Sequence, residues 1–325
     1  MRAWCTRCVC REQAGLSALV HLGVRYLGAD FVRLVCVKLI CAVLVTVACA
    51  SACSPAEEAT TASETVTATR IVTLAPNLTE LVFAAGAADL LVGVSAYSDF
   101  PPAAKDLPVV SDAFTVDQER LALLKPDLLL AWKSGTPAHV VDELRAAGFN
   151  VEAVTTRGLD DVPAALLRIG ELSGHDAHAV VAAENFRQSI DEIRQQYLGV
   201  SEVSVFYQIS TRPLYTINGE HFIGEILSLC GGRNIFADLS ALAPSVSVEA
   251  VIDRNPEVLL APSDSGELPF TDWQRWDGLA ANRLGNHFVV SAAEIARATP
   301  RLLVAARQVC EVLQVARTNR DAAND

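Results

Sequence analysis

The sequence predicts an α/β protein of two similar lobes. Each has a central parallel-type sheet flanked by helices, one long backbone helix joins them, and a ligand cleft lies between. Three observations carry this expectation. Short β-type runs alternate with helical segments from residue 70 to residue 318, the pattern of strands joined by crossover helices. One stretch occurs twice: Val116–Ala131 and Val246–Ala261 share Val, Glu, the central Pro and Leu-Leu-Ala, with an acid after each Pro. A polar cap, a short helix stopped by Pro and a buried apolar strand read this way. Between the copies, Asp176–Tyr197 contains neither Gly nor Pro and reads as one helix about 30 Å long by the usual rise.

The N-terminal region has a different character. Residues 37–52 combine Lys38, an apolar run and small residues before a cut, as a signal peptide does. Ala50-Ser51-Ala52 before Cys53 suits ordinary signal cleavage and also loosely matches a bacterial lipobox, so Cys53 is the lipidation candidate beside a soluble form. Residues 1–36 do not fit this reading, and translation is expected to start at Val37. Residues 53–69 are polar and poor in apolar side chains, as a flexible tether is.

In the first lobe, 70–175, Arg70–Leu74 reads as a strand and, after a turn through Ala75–Thr79, Glu80–Ala85 as a helix ended by Gly86. Leu90–Ser95 and Val109-Val110 are further strands. The duplicated helix and its Leu128–Ala131 strand follow, then helix Ala138–Ala147 and strand Val151–Val154. Tyr97 and Trp132 fall just after strands and Phe114 just before the duplicated helix, where ligands of parallel sheets collect. The connecting helix occupies 176–199. In the second lobe, 200–318, the strand Val203–Gln208 carries Tyr207 at its carboxyl end, and Gly224–Gly231 mirrors Thr79–Gly86. The second duplicated copy follows, then strand His287–Val290. Arg297 and Arg301 lead into a final helix, and 319–325 is a tail.

Cys230 and Cys310 are the only cysteines beyond Cys53. A lone pair in a folded body is a disulfide in an oxidising compartment, or two buried thiols otherwise. The export signal favours a disulfide pinning the terminal helix to its lobe. Beyond residue 52 the chain holds 20 Lys/Arg against 36 Asp/Glu, a net of -16, which argues against nucleic acid as a partner. The phosphate loop Gly-x-x-x-x-Gly-Lys-Ser/Thr and the nucleophile elbow Gly-x-Ser-x-Gly are missing, and the six His show no metal-ligand spacing. An acidic two-lobed body with a cleft and no catalytic set reads as a ligand carrier, not an enzyme.

Ile71–Glu80, Val92–Pro102, Glu119 with Lys125-Pro126-Asp127, Cys230–Phe236 and Ala298–Arg301 resemble the helical-backbone (class III) periplasmic substrate-binding proteins. Within that class they are most similar to the carriers that bring cobalamin to the bacterial vitamin importer. The likeness runs from about 70 to 316. It implies cobalamin as the transported ligand, no cofactor, and a partner in the membrane permease of an ATP-binding-cassette importer. Tyr97 and Trp132 match aromatic positions that contact the corrinoid. Phe114 stands where the family has a tryptophan, Tyr207 where it has a phenylalanine, and Arg297 matches a basic ligand-contacting residue. Ala243 replaces a pocket tryptophan, so the implied ligand is cobalamin or a related corrinoid. Glu119 and Glu249 match two acids, one per lobe, that dock onto permease arginines. Taken singly, each suits a helix first turn, worth about 0.3–1 kcal/mol. Haem or an iron siderophore is the alternative cargo. Haem takes an axial Tyr or His, for which Tyr97, Tyr215 and His221 are the candidates.

Overall fold

The computed structural model describes residues 67–324 except 267. The proposed upstream extension 1–36, the signal peptide 37–52, Cys53 and the tether up to residue 66 lie outside the described residues. In the first lobe β1 (Ile71–Thr73), β2 (Leu91–Ser95), β3 (Val109–Ser111), β4 (Leu128–Trp132) and β5 (Val151–Val154) form a parallel sheet in the order β3-β2-β1-β4-β5. Its helices are α1 (Pro76–Ala84), α2 (Gln118–Leu124), α3 (Ala138–Ala146) and α4 (Asp161–Ser173). The last of these, absent from the sequence expectation, ends at the left-handed Gly174 (φ 72°).

The connector α5 (Asp176–Gln196) is continuous, as its lack of Gly and Pro predicts. Ala179, Ala183, Phe186, Ile190 and Ile193 recur at helical spacing and form its buried face. Gly170 of α4 lets α5 approach closely, since a Cβ there would stand 2.4 Å from that of Ala179.

The second lobe contains β6 (Val203–Tyr207), β9 (Gly232–Asn234), β10 (Val258–Pro262) and β11 (His287–Val290), parallel in the order β11-β10-β6-β9. The antiparallel hairpin of β7 (Ser210–Thr211) and β8 (Leu214–Tyr215) follows β6. Helices α6 (Phe222–Leu229), α7 (Val248–Arg254), α8 (Ala280–Leu284), α9 (Ala292–Ile295) and α10 (Leu302–Asn324) complete it.

The duplicated stretch forms the same structure twice. Asp117 caps α2 by accepting from the Arg120 amide, and Ser247 caps α7 by accepting from the Ala250 amide. Each helix ends in a left-handed residue, Lys125 (φ 48°) or Asn255 (φ 42°), directly before Pro. The acid after each Pro ties the next strand to its neighbour. Asp127 accepts from the Thr69 and Arg70 amides and the Thr69 hydroxyl, and Glu257 from the Ser204 amide and hydroxyl. Burial opposes ionisation of Asp127, but these hydrogen bonds outweigh it and hold the carboxyl below its ordinary range.

Two boundaries move. The expected tail at 319–325 is not separate: α10 runs on to Asn324 because no Gly or Pro stops it. Arg320 anchors it by donating to Glu202 O, Ser201 Oγ and Glu257 Oε1. At the other end, the last tether residues are tied down, with the Ala68 amide bonded to Leu172 O and Thr69 to Asp127. Cys230 at the end of α6 is bonded to Cys310 of α10, with Cα atoms 4.7 Å apart. Closing a loop of this length contributes on the order of 4 kcal/mol in the chain-entropy picture. Arg317 packs beside it, donating to Ser201 O and Cys230 O.

Candidate ligand cleft

Parallel sheets offer ligands the carboxyl ends of their strands, near the point where strand order reverses. That point lies between β1 and β4 in the first lobe and between β6 and β10 in the second. The two carboxyl edges face one another. Arg297, beyond β11, donates to Glu80 of α1 and to Asp99 beyond β2. The Phe222 amide at the start of α6 donates to Arg157 O, beyond β5.

Three rings project from the first-lobe edge. Tyr97 adopts a left-handed backbone (φ 64°), which costs a non-glycine residue about 1–3 kcal/mol, and its side chain is 82% exposed. Strain of this kind persists only where neighbours hold it. Here Thr73, Thr79, Ser98 and Ser95 form a buried chain of hydroxyl bonds under the loop. Arg297 Nη2 grips the Tyr97 carbonyl at 3.0 Å from the opposite lobe. Phe114 stands 84% exposed on a turn built by Asp112, whose Oδ1 accepts from the Phe114 and Thr115 amides and the Thr115 hydroxyl. Those bonds hold the Asp112 carboxyl below its usual range. Trp132 ends β4 half-buried, its amide donating to Thr136 Oγ1 and its indole N–H buried without a partner. Gly135 is required beneath the ring, because a Cβ there would come within 1.9 Å of it.

On the second-lobe edge the sequence expectation needs correction. Tyr207 is 1% exposed and belongs to the apolar core, where burial pushes its phenol well up. The reason is the face it occupies. Tyr207 shares the side of β6 that carries Val203 and Val205 and is buried in the core with Ile217, Phe222 and Val290, while Phe206 faces the other core. The Thr216 hydroxyl donates to Tyr207 O. The exposed apolar groups on this edge are Ile209, Tyr215 and Leu268. Sequence reasoning passed over Ile209 and Leu268, which no aromatic signal marks, and it weighed Tyr215 only as a haem ligand. Ala243 is exposed, beside the bridge between Ser245 and Tyr215.

Arg297, expected to meet ligand, is held between the lobes. Burial disfavours its charge, but bonds from Glu80 and Asp99 outweigh this and raise its pKa. Glu80, only 4% exposed, also accepts from the Thr299 hydroxyl at 2.9 Å and from Arg301 at 3.4 Å. The Arg301 guanidinium in turn lies 4.1 Å over the ring of Phe100. Neither Glu80 nor Asp99 was singled out from the sequence as a site residue. The signal available for Glu80 was its place in the second internal match, opposite Glu225.

Glu119 and Glu249 occupy the same first-turn position of α2 and α7. Both are exposed, and neither has an ion-pair partner among the described residues. Of the haem-ligand candidates, His221 is engaged as the cap of α6, its Nδ1 accepting from the Ile223 amide at 3.2 Å with its ring on Phe222.

Two mirrored α/β lobes, a rigid helix between them and ring-bearing loops at their facing edges define a ligand-capturing binding protein. Residues 71–279 match the periplasmic binding protein family, and the chain belongs to it. It is 37% identical over 250 residues to the vitamin B12-binding protein of Vibrio cholerae, a match covering 77% of this chain and 90% of that one. It superimposes on the crystal structure of the periplasmic vitamin B12 binding protein BtuF of Vibrio cholerae with a TM-score of 0.71 at 36% identity, covering 77% and 98% of the two chains. The apo periplasmic heme-binding protein RhuT from Roseiflexus sp. RS-1 shares the fold, with a TM-score of 0.67 at 21% identity over 76% and 98%.

Burial pushes the His221 imidazole down to about 4, from an ordinary 6.5. Protonation removes the acceptor that caps α6 and places a cation at the positive end of that helix. The unfolded chain therefore binds the proton first as pH falls. The stability is fully present above pH 6.5 and declines towards pH 4, by an amount on the order of 3 kcal/mol from this group. In H221N the cap survives without the titration. Its thermal midpoint should fall less steeply between pH 6.5 and pH 4 than that of the natural protein, and identical slopes exclude this role.

Proposed function

We propose that this protein is the substrate-binding component of an ATP-driven importer, capturing cobalamin or a related corrinoid and delivering it to the membrane permease. The observation that carries the reading is the set of rings on the first-lobe edge, Tyr97, Phe114 and Trp132, faced by apolar Ile209, Tyr215 and Leu268. A large, largely flat macrocycle gains from such walls by burial at roughly 25 cal/mol per Å² of apolar surface and by ring contacts. The identity to vitamin B12-binding proteins over 77% of the chain supports the same reading. Phe114 and Trp132 stand ready without rearrangement, which limits the ordering cost of capture.

Delivery rests on Glu119 and Glu249. Equivalent unpaired carboxylates on the equivalent helices of two lobes suit a permease that presents arginines at two positions. Residues 37–52 would export the chain, and Cys53 would anchor it to a membrane.

Calorimetric titration with cyanocobalamin, cobinamide and haem tests the cargo. Corrinoid binding is expected, and Y97A should weaken it about tenfold. Haem binding with no corrinoid binding overturns the assignment. Charge reversal at Glu119 and Glu249 together should abolish stimulation of the permease ATPase while leaving corrinoid affinity unchanged; a loss of affinity would place both acids in the cleft instead. For the anchor, metabolic labelling with palmitate should mark the natural chain and not C53S, and equal labelling of both moves the attachment elsewhere.

A further inference from the structure

The two lobes touch through a reciprocal pair of carboxylates. In the second internal match, Glu80 of α1 aligns with Glu225 of α6. Each begins in its own lobe and ends on the loop that leads into a long helix of the other. Glu80 accepts from Arg297, Thr299 and Arg301, just ahead of α10. Glu225 accepts from the Leu159 amide at 2.6 Å, just ahead of α4. That approach requires Gly158, since a Cβ there would lie 2.8 Å from Glu225 Oε1.

Each contact is reinforced by neighbours. Asp99 joins Glu80 on Arg297, and Phe100 stacks on Arg301. On the other edge Glu220 pairs with Arg157, and the Phe222 amide bonds to Arg157 O. The Glu225 contact has a cost: burial, then the nearby carboxylates of Asp160 and Asp161, raise its pKa against the Leu159 bond that lowers it. Glu80 is buried, so it does not meet ligand. It does control a group that is placed to do so. Arg297, held by Glu80, fixes the carbonyl of Tyr97, whose left-handed backbone presents the exposed ring.

We infer that Glu80 and Glu225 are positioning residues, a pseudo-symmetric pair of cross-lobe struts. They hold the facing edges at a fixed separation and keep Tyr97 in its ligand-ready pose without touching ligand. A pair on both edges resists opening about any axis through the cleft better than a single contact does. The geometry follows from the duplication, which places the same acid on the first helix of each lobe.

The inference about Tyr97 rests on the corrinoid reading; the inference about lobe separation does not, and the two are measured separately. Small-angle scattering of the ligand-free E80Q, E225A and E80Q/E225A proteins reports separation. Glutamine at position 80 keeps the size of the side chain while removing the charge that holds Arg297 and Arg301. Alanine at position 225 removes the acceptor of the Leu159 amide, which a glutamine carbonyl would keep. A larger radius of gyration is expected in each single variant and the largest in the double variant, with near-ultraviolet circular dichroism unchanged. If E80Q does not fold, E225A alone decides the point. Folded variants whose scattering matches the natural protein overturn the struts.

Cyanocobalamin affinity reports positioning. E80Q should weaken binding about tenfold when Tyr97 is present and less than about twofold in a Y97A background, because a residue acting through Tyr97 loses its effect once the ring is gone. Equal losses in the two backgrounds would show that Glu80 serves stability alone. If the natural protein does not bind cyanocobalamin at all, the cargo assignment fails, while the scattering result still stands or falls by itself.

Discussion

One apolar core runs from the first lobe, through the buried face of α5, into the second lobe, and the rest of the structure is constrained by it. Ile71, Leu78 and Leu166 on one side and Val205, Ile226 and Leu313 on the other belong to one buried cluster that includes Ala183, Phe186 and Ile190 of α5. Two lobes joined by a flexible strand pair can swing as rigid bodies about that hinge. Two lobes that share a core through a helix cannot do so without exposing apolar surface. Close packing makes such a core resist graded deformation. The shared core therefore rules out large swings of the lobes and leaves the separation of the facing edges to the contacts made across the cleft.

Given that constraint, the polar contacts across the cleft do a different task from the core. Arg297 and Glu80 form a shielded ion pair, and pairs of that type add little net stability once desolvation is counted. Their value lies in geometry. Arg297 is bonded to two carboxylates and one carbonyl from the other lobe, which restricts where the Tyr97 loop can sit. The buried hydroxyls of Thr73, Thr79, Ser98 and Ser95 restrain the same loop from below. A strained backbone at Tyr97 is tolerable because both sets of bonds oppose its relaxation.

Much of this was legible in the residues. Asp117 and Ser247 as caps, Pro126 and Pro256 as stops, and the apolar strands after them are local chemistry, and local chemistry is written in order along the chain. The cysteine pair and the uninterrupted α5 were legible for the same reason. What was not legible depends on groups far apart in sequence. Tyr207 ends a strand in the right place to line a cleft, yet its side chain is buried in the core with Ile217, Phe222 and Val290; only tertiary packing distinguishes a covered strand end from an open one. Arg297 was marked as a ligand residue, but its carboxylate partners lie more than 190 positions away. The tail past 318 has too little apolar content to announce itself, and Arg320 fixes it through Glu202, Ser201 and Glu257.

The duplication also separates what holds the molecule from what reads the ligand. Where the copies agree, they build frame: matched caps, matched left-handed stops, matched acids tying strand to strand, and matched carboxylates across the cleft. Where they differ, the residues point at the opening. β4 ends in Trp132 and β10, at the equivalent position, in Pro262. The first lobe adds Tyr97 and Phe114 on loops, while the second offers Ile209, Tyr215 and Leu268. A corrinoid has unlike faces and unlike axial groups, so a cleft with one ring-rich wall and one mixed wall can favour one orientation over its reverse. A perfectly duplicated cleft would offer both faces the same contacts and lose that discrimination. A symmetric frame with asymmetric edges meets both demands at once: mechanical constancy from the repeated residues and directional recognition from those that diverged.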